Sequence, residues 1–121
     1  MAVRETLLRG GIYWIDWNPA RGSEQAGHRP GVVIQNQSGN RAEKYPNTIV
    51  VAMSTIGRDI PFHVLVRPSE SNGLSQDGYV KCEHILTVAK SRVDTYIGQL
   101  DSDDLEAVEH AILRSLGITH V

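Results

Sequence analysis

The sequence predicts a mainly β protein of the α+β class, a small curled sheet or barrel with one helix near its C-terminal end. Two observations support this class. Short β-branched runs recur at close spacing between turn residues, and one late segment has the apolar periodicity of a helix. The chain has 121 residues, so we expect a single domain spanning residues 1–121, large enough for one packed core.

Six runs are candidate strands. The first, residues 12–17, alternates two mostly apolar faces, so we expect it to be covered on both sides. Pro30 opens the second run, which continues to residue 36, because proline at the start of a strand removes no ladder hydrogen bond. The other four candidates are residues 47–53, 62–66, 79–82 and 94–100. Residues 37–46 are predicted to turn, and residues 83–89 to hold a helical turn.

The predicted helix runs from Ser102 to Leu116. Asp101 or Ser102 is expected to cap its start, and the acids that follow favour the positive end of the helix dipole. Gly117 is placed to end it. Residues that recur at three- and four-residue steps form its apolar face: Leu105, Val108, Ile112 and Leu116.

The charge is divided unevenly along the chain. Residues 1–58 carry seven Arg or Lys against four Asp or Glu, a net of +3, whereas residues 59–121 carry five against ten, a net of −5. These halves give the net charge of −2. The protein is therefore not a generally basic nucleic-acid binder, and a polyanion would bind on the face made by the first half.

Composition also limits the compartment and the class of site. Cys82 is the only cysteine, which excludes an intramolecular disulfide and a two-cysteine metal clip. No apolar run approaches the roughly 20 residues of a membrane span, and the first residues lack a signal-peptide pattern. We expect a cytoplasmic protein without membrane contact. The sequence has no GxxxxGK[ST], GxGxxG, HExxH or GxSxG motif, so we expect no cofactor and no metal.

A polar stretch between the first two strands, GSEQAGHR at residues 22–29, gathers groups with chemical potential. Glu24 can take a proton, and His28 can give or take one near neutral pH. Arg29 is always protonated and presents two parallel N–H donors to a phosphate or carboxylate. Cleavage of a phosphodiester by a neighbouring hydroxyl needs a base, a positive charge and an acid. These residues therefore indicate an anion-binding or catalytic loop, although each alone is more typical of a solvated or packed side chain.

The stretch RGSEQAGHRPGVVIQN resembles the signature of the MazF/PemK toxins, endoribonucleases of bacterial toxin–antitoxin pairs. The blocks NTIVVAMST, IPFHV and IGQLDSDDLEAVEHAILRSLG follow in the order of that family, so essentially the whole chain is covered. The resemblance implies a small SH3-like, partly open β-barrel (CcdB/PemK-like) with a C-terminal helix. It also implies a homodimer that holds single-stranded RNA in a groove.

The resemblance further implies an activity and a partner. The cut would be metal-independent and sequence-selective, leaving a 2′,3′-cyclic phosphate and a 5′-hydroxyl. The inhibiting partner would be a small antitoxin whose acidic, flexible C-terminal segment occupies the RNA groove.

Site roles follow by similarity. Arg29 matches the catalytic arginine, and the catalytic hydroxyl at the end of the third strand falls on Ser54 or its neighbour Thr55, where the family has threonine. Glu24 is a third catalytic candidate, as a proton acceptor or as an acceptor for a base N–H. The positions that match RNA contacts, besides Glu24, are Ser23, Gln25, Asn36, Ile60, Pro61, Glu83 and His84. His28 and Thr55 are two further RNA-binding candidates, chosen because they adjoin Arg29 and Ser54, and the resemblance does not require a histidine at position 28.

One block departs from the family pattern. His84, Leu86 and Ala89 stand where the family more often has glutamine, arginine and an acid, so the recognised bases stay open. His84 itself is either an RNA contact or a packed histidine. Two other functions also stay open: a non-enzymatic gyrase poison of the CcdB kind, which the placement of both tryptophans in the first strand disfavours, and a degenerate member that only binds RNA or its antitoxin.

Overall fold

A computed structural model describes residues 5–17 and 27–119 of the chain. Six strands form one antiparallel sheet in the order β4-β5-β3-β2-β1-β6. Their bounds are β1 (Gly11–Asp16), β2 (His28–Val33), β3 (Asn47–Ser54), β4 (His63–Val66), β5 (Gly78–Ala89) and β6 (Val93–Gln99). Two helices, α1 (Gln37–Arg41) and α2 (Ser102–Ser115), and a 3₁₀ turn (Lys90–Arg92) complete the described elements. The mainly β class with a C-terminal helix is confirmed. Within the described ranges, β4 and β6 are the sheet edges and do not pair, so the sheet is not closed.

The sheet buries apolar side chains on both faces. Ile12 of β1 belongs to the core beneath α2, whereas Tyr13 and Ile15 belong to a second cluster on the other face. Alternate residues of a strand point to opposite faces, so the prediction that β1 is covered on both sides is confirmed for these three residues. Trp14 is an exception, because it is 42% exposed.

The C-terminal helix α2 packs against β5 and β4. Val108 and Ala111 are buried, and Leu105 and Ile112 pack on the same core. Leu116 was predicted to continue this apolar face but is 59% exposed, because the helix ends one residue before it. In the part of the chain that the structure describes, no helix is both long and apolar enough to cross a bilayer.

The ends of α2 have defined caps. Asp101 is the N-cap residue, but its side chain makes no capping hydrogen bond. At the other end Gly117 has φ of 75°, a left-handed conformation that glycine adopts without a Cβ clash. The amide of Ile118 donates to the carbonyl of Leu113 at 2.8 Å, and the Gly117 amide donates to Arg114 at 3.0 Å. This is a Schellman motif, and the predicted stop at Gly117 is confirmed.

The expected helical turn at residues 83–89 is wrong. These residues are strand, because β5 runs unbroken from Gly78 to Ala89 and pairs with β3. The register shifts by three residues between the pair Val51–Ile85 and the pair Ala52–Lys81. A bulge therefore interrupts the alternation of β5. For this reason the sequence pattern indicated a strand only at residues 79–82, although the strand continues to Ala89.

The expected turn at residues 37–46 contains a short helix instead. Asn36 is the N-cap of α1, and its Oδ1 accepts from the amide of Gly39 at 2.7 Å. Buried Asn40 fixes the helix to β3, because its Oδ1 accepts from the Thr48 hydroxyl at 2.8 Å. An asparagine N-cap is a recognised helix-start signal, but five residues are too few for helical periodicity to show.

The β4–β5 connection (residues 67–77) is ordered by the fully buried Asn72. Its Oδ1 accepts from the amides of Ser69 and Leu74, both at 3.0 Å, and its Nδ2 donates to the carbonyl of Arg67 at 2.8 Å. One side chain therefore provides hydrogen-bond partners for three backbone groups of the connection. In a loop without regular structure, such groups otherwise bond to water.

We expect Asn72→Ala to lower the free energy of unfolding by roughly 2–4 kcal/mol, because it leaves buried backbone groups without partners. Urea unfolding measures this change. Ser71→Ala, an exposed position in the same connection, is the matched control and should change stability by less than about 0.5 kcal/mol. A loss below about 1 kcal/mol for Asn72→Ala would show that the connection does not depend on this side chain.

Candidate active site

Arg29 and Ser54 are brought together by the pairing of β2 with β3. The ladder pairs Gly31 with Ala52 and continues to Val33 with Val50. The same register, extended by two residues towards the start of β2, sets Arg29 opposite Ser54. Residues opposite each other on antiparallel strands have Cβ atoms within about 5.5 Å. Sheet pairing thus juxtaposes a guanidinium and a hydroxyl that are 25 residues apart in sequence.

Both residues line an open cavity of about 450 Å³. Its other lining comes from Trp14 of β1, from Thr55, and from residues 73–78 at the end of the β4–β5 connection. The Asn72 hydrogen bonds therefore hold one side of the cavity in place. Its volume falls within the range of ordinary small-ligand sites.

The guanidinium of Arg29 is available to a ligand. The residue is exposed, and among the described residues no hydrogen-bond or ion-pair partner engages its side chain. Its backbone is fixed on both sides, because Ile15 pairs with it on β1 and the Trp17 indole donates to its carbonyl at 3.0 Å. The backbone of Arg29 is fixed, and its permanently charged guanidinium is not engaged by another described residue. This combination suits the binding of a phosphate.

Ser54 is the last residue of β3 and pairs with Tyr79 of β5. Its Oγ accepts a hydrogen bond from the amide of Ile56 at 3.1 Å. A hydroxyl has one donor hydrogen besides its lone pairs, so this contact orients Ser54 and leaves the hydrogen for an acceptor such as a phosphate oxygen. Thr55 lines the same cavity but is exposed beyond the end of the strand.

A second group of predicted residues surrounds His63, the first residue of β4. Glu83 and His84 lie in the β5 bulge, and their side chains are 35% and 53% exposed. The carboxylate of Glu83 accepts from His63 Nε2 at 2.9 Å and lies 3.7 Å from the His84 ring. The exposure of His84 argues against a packed histidine. Ile60 and Pro61 are exposed in the preceding segment, where the Ile60 carbonyl accepts from the His63 amide at 3.1 Å.

The bulge shifts two pKa values in opposite directions. Desolvation alone would raise the pKa of Glu83, but hydrogen bonds from His63 and from its own backbone, with the electrostatic attraction of the neighbouring His63 and His84 rings, outweigh it and lower that pKa. Burial, and then the nearby charge of Glu83, raises the pKa of the Cys82 thiol to about 12. Glu83 is therefore a charged acceptor, whereas Cys82 is a packed and unreactive thiol.

Two predicted RNA contacts lie elsewhere. His28 Nε2 is 2.5 Å from a carboxylate oxygen of Asp94 on β6, and both line a separate hollow of about 620 Å³ with Tyr13 and Tyr96. Asn36 lies seven residues beyond Arg29, roughly 20 Å along an extended chain, where it caps α1. The structure therefore does not bring His28 or Asn36 to the cavity of Arg29 and Ser54. Ser23, Glu24 and Gln25 lie outside the described residues.

The structure also adds residues that the sequence did not single out as functional. Trp14 appeared only as a strand residue, and His63 only within the block IPFHV. Residues 73–78 contained no recognisable motif. Trp14 is a large aromatic residue that stays exposed on a mostly buried strand. The sequence alone does not reveal this exposure, because it depends on how the sheet packs.

The fold and this site define a class: a small open β-sheet protein in which an arginine and a strand-end hydroxyl line one open cavity. Residues 8–116 match the family of PemK-like, MazF-like toxins of type II toxin–antitoxin systems, and the chain belongs to that family. The resemblance predicted from the RGSEQAGHRPGVVIQN motif is thereby confirmed.

Individual relatives agree with this assignment. The chain is 40% identical over 116 residues to the endoribonuclease MazF of Staphylococcus saprophyticus, which covers 93% of this chain and 92% of that protein. It is similar to a solved mycobacterial endoribonuclease in complex with its cognate antitoxin, with a TM-score of 0.78, 25% identity, and coverage of 95% of this chain and 99% of that one. A MazE–MazF structure from Deinococcus radiodurans matches with a TM-score of 0.76 and 22% identity over 96% of this chain and all of the other, which shows the shared fold.

Proposed function

We propose that this protein is the toxin of a type II toxin–antitoxin system and acts as an endoribonuclease on single-stranded RNA. The observation that supports this most strongly is the convergence of Arg29 and Ser54 on one open cavity, with no described acceptor engaging the arginine. Membership of the toxin family, and 40% identity to an endoribonuclease over most of the chain, support the same activity. Its substrate would be met in the cytoplasm.

The proposed reaction is an internal transesterification. The 2′-oxygen of one nucleotide forms a bond to the adjacent phosphorus, and the bond from phosphorus to the 5′-oxygen breaks. The 2′-hydroxyl proton passes to a base, and the departing 5′-oxygen receives a proton. The products are a 2′,3′-cyclic phosphate and a 5′-hydroxyl, so the atoms balance without added water.

Arg29 and Ser54 have separate parts in this scheme. Negative charge grows on the non-bridging oxygens as phosphorus becomes five-coordinate, and the Arg29 fork donates two hydrogen bonds to them. The Ser54 hydroxyl donates one more from the facing strand. Glu24 is the candidate base. The scheme requires no metal ion, because protein side chains supply the positive charge and the hydrogen bonds.

Recognition of bases falls to the group around His63. Glu83 is charged and oriented, so it would accept from an exocyclic amine or ring N–H of an unstacked base. His84, Ile60 and Pro61 offer a ring and apolar surface beside it. Thr55 adjoins the catalytic pair. We propose that Ser23 and Gln25, which precede β2 in the sequence, and His28, the first residue of β2, also contact RNA. For Asn36, the side-chain amide nitrogen is the group proposed for this purpose, because its Oδ1 caps α1.

We further propose that the protein is a homodimer and that a small antitoxin inhibits it. Two of the similar solved structures contain a family toxin with its antitoxin, one mycobacterial and one from Deinococcus radiodurans. An acidic, flexible antitoxin segment would compete with RNA for Arg29, because a carboxylate and a phosphate suit the same guanidinium fork.

The first test is cleavage of a long single-stranded RNA in EDTA. We expect the purified protein to cleave it, and Arg29→Ala to lower the rate by at least about 10²-fold, because a donor to the developing charge is lost. Arg29→Lys should recover only part of the rate, since it keeps the charge without the fork. Arg41→Ala, at the exposed last residue of α1, is the matched control. Normal cleavage by folded Arg29→Ala would contradict the proposed site.

A second test decides which hydroxyl acts. Because Ser54 faces Arg29 in the β2–β3 register, we expect Ser54→Ala to lower the single-turnover rate by about 10²-fold and Ser54→Thr to retain activity. Thr55→Ala should cost less than about tenfold, the value of one peripheral hydrogen bond. The reverse order of the two alanine variants would move the catalytic role to Thr55.

A further inference from the structure

His63 makes hydrogen bonds to two different elements: the segment that follows Ser54, through Arg58, and the β5 bulge, through Glu83. Its side chain is only 6% exposed, and both ring nitrogens are engaged. The amide of Arg58 donates to Nδ1 at 2.9 Å, and Nε2 lies 2.9 Å from an oxygen of Glu83. An almost fully buried ring with two directional contacts holds both partners at fixed positions relative to each other.

The Arg58 contact determines the tautomer of this ring. A backbone amide can only donate, so Nδ1 accepts and carries no hydrogen. The ring hydrogen is therefore on Nε2, which donates to the Glu83 carboxylate. This arrangement requires the neutral form of His63, because a protonated ring has a hydrogen on both nitrogens and cannot accept from Arg58.

The first contact fixes the β3–β4 segment (residues 55–62), which begins immediately after Ser54. Its start is held by the hydrogen bond from the Ile56 amide to Ser54 Oγ. Gly57 packs flat on the Tyr79 ring, where a Cβ would lie 2.2 Å from a ring carbon. Tyr79 in turn pairs with Ser54. The Arg58 amide is thus the next point at which the segment that orients the Ser54 hydroxyl is attached to the sheet.

The second contact orients Glu83, which the β5 bulge turns out of the regular ladder. Cys82, Glu83 and His84 have no partner on β3. The bulge is held by a hydrogen bond from the Cys82 amide to the Phe62 carbonyl at 2.8 Å and by one from the Ser115 hydroxyl to the Cys82 carbonyl at 3.1 Å. Bulges frequently re-aim a side chain beside an active site. Here the re-aimed side chain is the Glu83 carboxylate, and its hydrogen bond from His63 Nε2 fixes its orientation.

We propose that neutral His63 is a positioning residue with two separable contacts, one that holds the segment next to Ser54 and one that orients Glu83 towards the RNA bases. The first contact then acts on the chemical step and the second on base choice. This inference rests on the proposed endoribonuclease function, because it assigns a consequence for cleavage to each contact.

Two substitutions distinguish the contacts. The oxygen of asparagine reaches about as far as Nδ1 of histidine, so His63→Asn keeps an acceptor for Arg58 and loses the donor to Glu83. The amide nitrogen of glutamine reaches about as far as Nε2, so His63→Gln keeps the donor and loses the acceptor. His110→Asn and His110→Gln, at an exposed position of α2, are matched controls.

The readouts are hydrogen exchange at the Arg58 amide, single-turnover cleavage, and the cleavage motif mapped by primer extension. In His63→Gln we expect this amide to exchange about tenfold faster and kcat to fall about three- to tenfold, the value of one hydrogen bond. In His63→Asn we expect the amide to stay protected, kcat to fall less, KM to rise and the motif to relax.

Glu83→Gln provides an independent check on the second contact and should reproduce the relaxed motif of His63→Asn while the Arg58 amide stays protected. Equal exchange at Arg58 in both His63 variants, or identical kinetics and motif for the two, would overturn the inference. If the wild-type protein cleaves no RNA, the proposed function fails, and the exchange data still decide whether His63 holds the segment.

Discussion

The pairing of β3 with its two neighbours is the constraint on which the site depends. β3 lies between β2 and β5, and its buried residues contribute to the apolar clusters on both faces of the sheet. A slip of one residue would move each β3 side chain to the opposite face and break the packing of both clusters, so the register is fixed by core packing. That same register pairs Ser54 with Tyr79 on one side, and its continuation two residues beyond the Gly31–Ala52 pair sets Ser54 opposite Arg29 on the other. Core packing and site geometry therefore have one cause.

The site divides charge between two adjoining groups. In the proposed function, Arg29 supplies a permanent positive charge for a phosphate, and Glu83 supplies a negative charge that would repel one. A carboxylate beside an RNA backbone is useful only towards base N–H donors, and the lowered pKa of Glu83 keeps it in that acceptor form. The net negative charge of the chain does not prevent RNA binding in this arrangement, because the phosphate contact is local.

Much of the fold was predictable because it depends on local pattern. The six strands, the span of α2 and the stop at Gly117 follow from alternation, helical periodicity and a glycine position. The β5 bulge was not predictable, since it is defined by the register with β3 and looks like a strand end in sequence. The α1 helix was missed because five residues carry too little periodicity, although Asn36 marked its start.

Less of the site than of the fold was predictable from the sequence. Arg29 and Ser54 were identified through motif similarity, and the β2–β3 register gives a physical reason for them to act together. His63 was missed because its importance depends on contacts to Arg58, five residues before it, and Glu83, twenty residues after it. Trp14 and the connection built on Asn72 were missed for the same reason. His28 was grouped with Arg29 by sequence proximity, yet adjacent residues of a strand point to opposite faces, and His28 lies against Asp94.

The most direct test of the account is a structure of the protein bound to an RNA oligonucleotide that has a 2′-deoxy sugar at the mapped cleavage position, so that the nucleophile is absent. We predict that the phosphate following this sugar lies within hydrogen-bonding distance of both the Arg29 guanidinium and the Ser54 hydroxyl. A phosphate bound instead in the hollow of His28 and Asp94, with Arg29 unengaged, would contradict it.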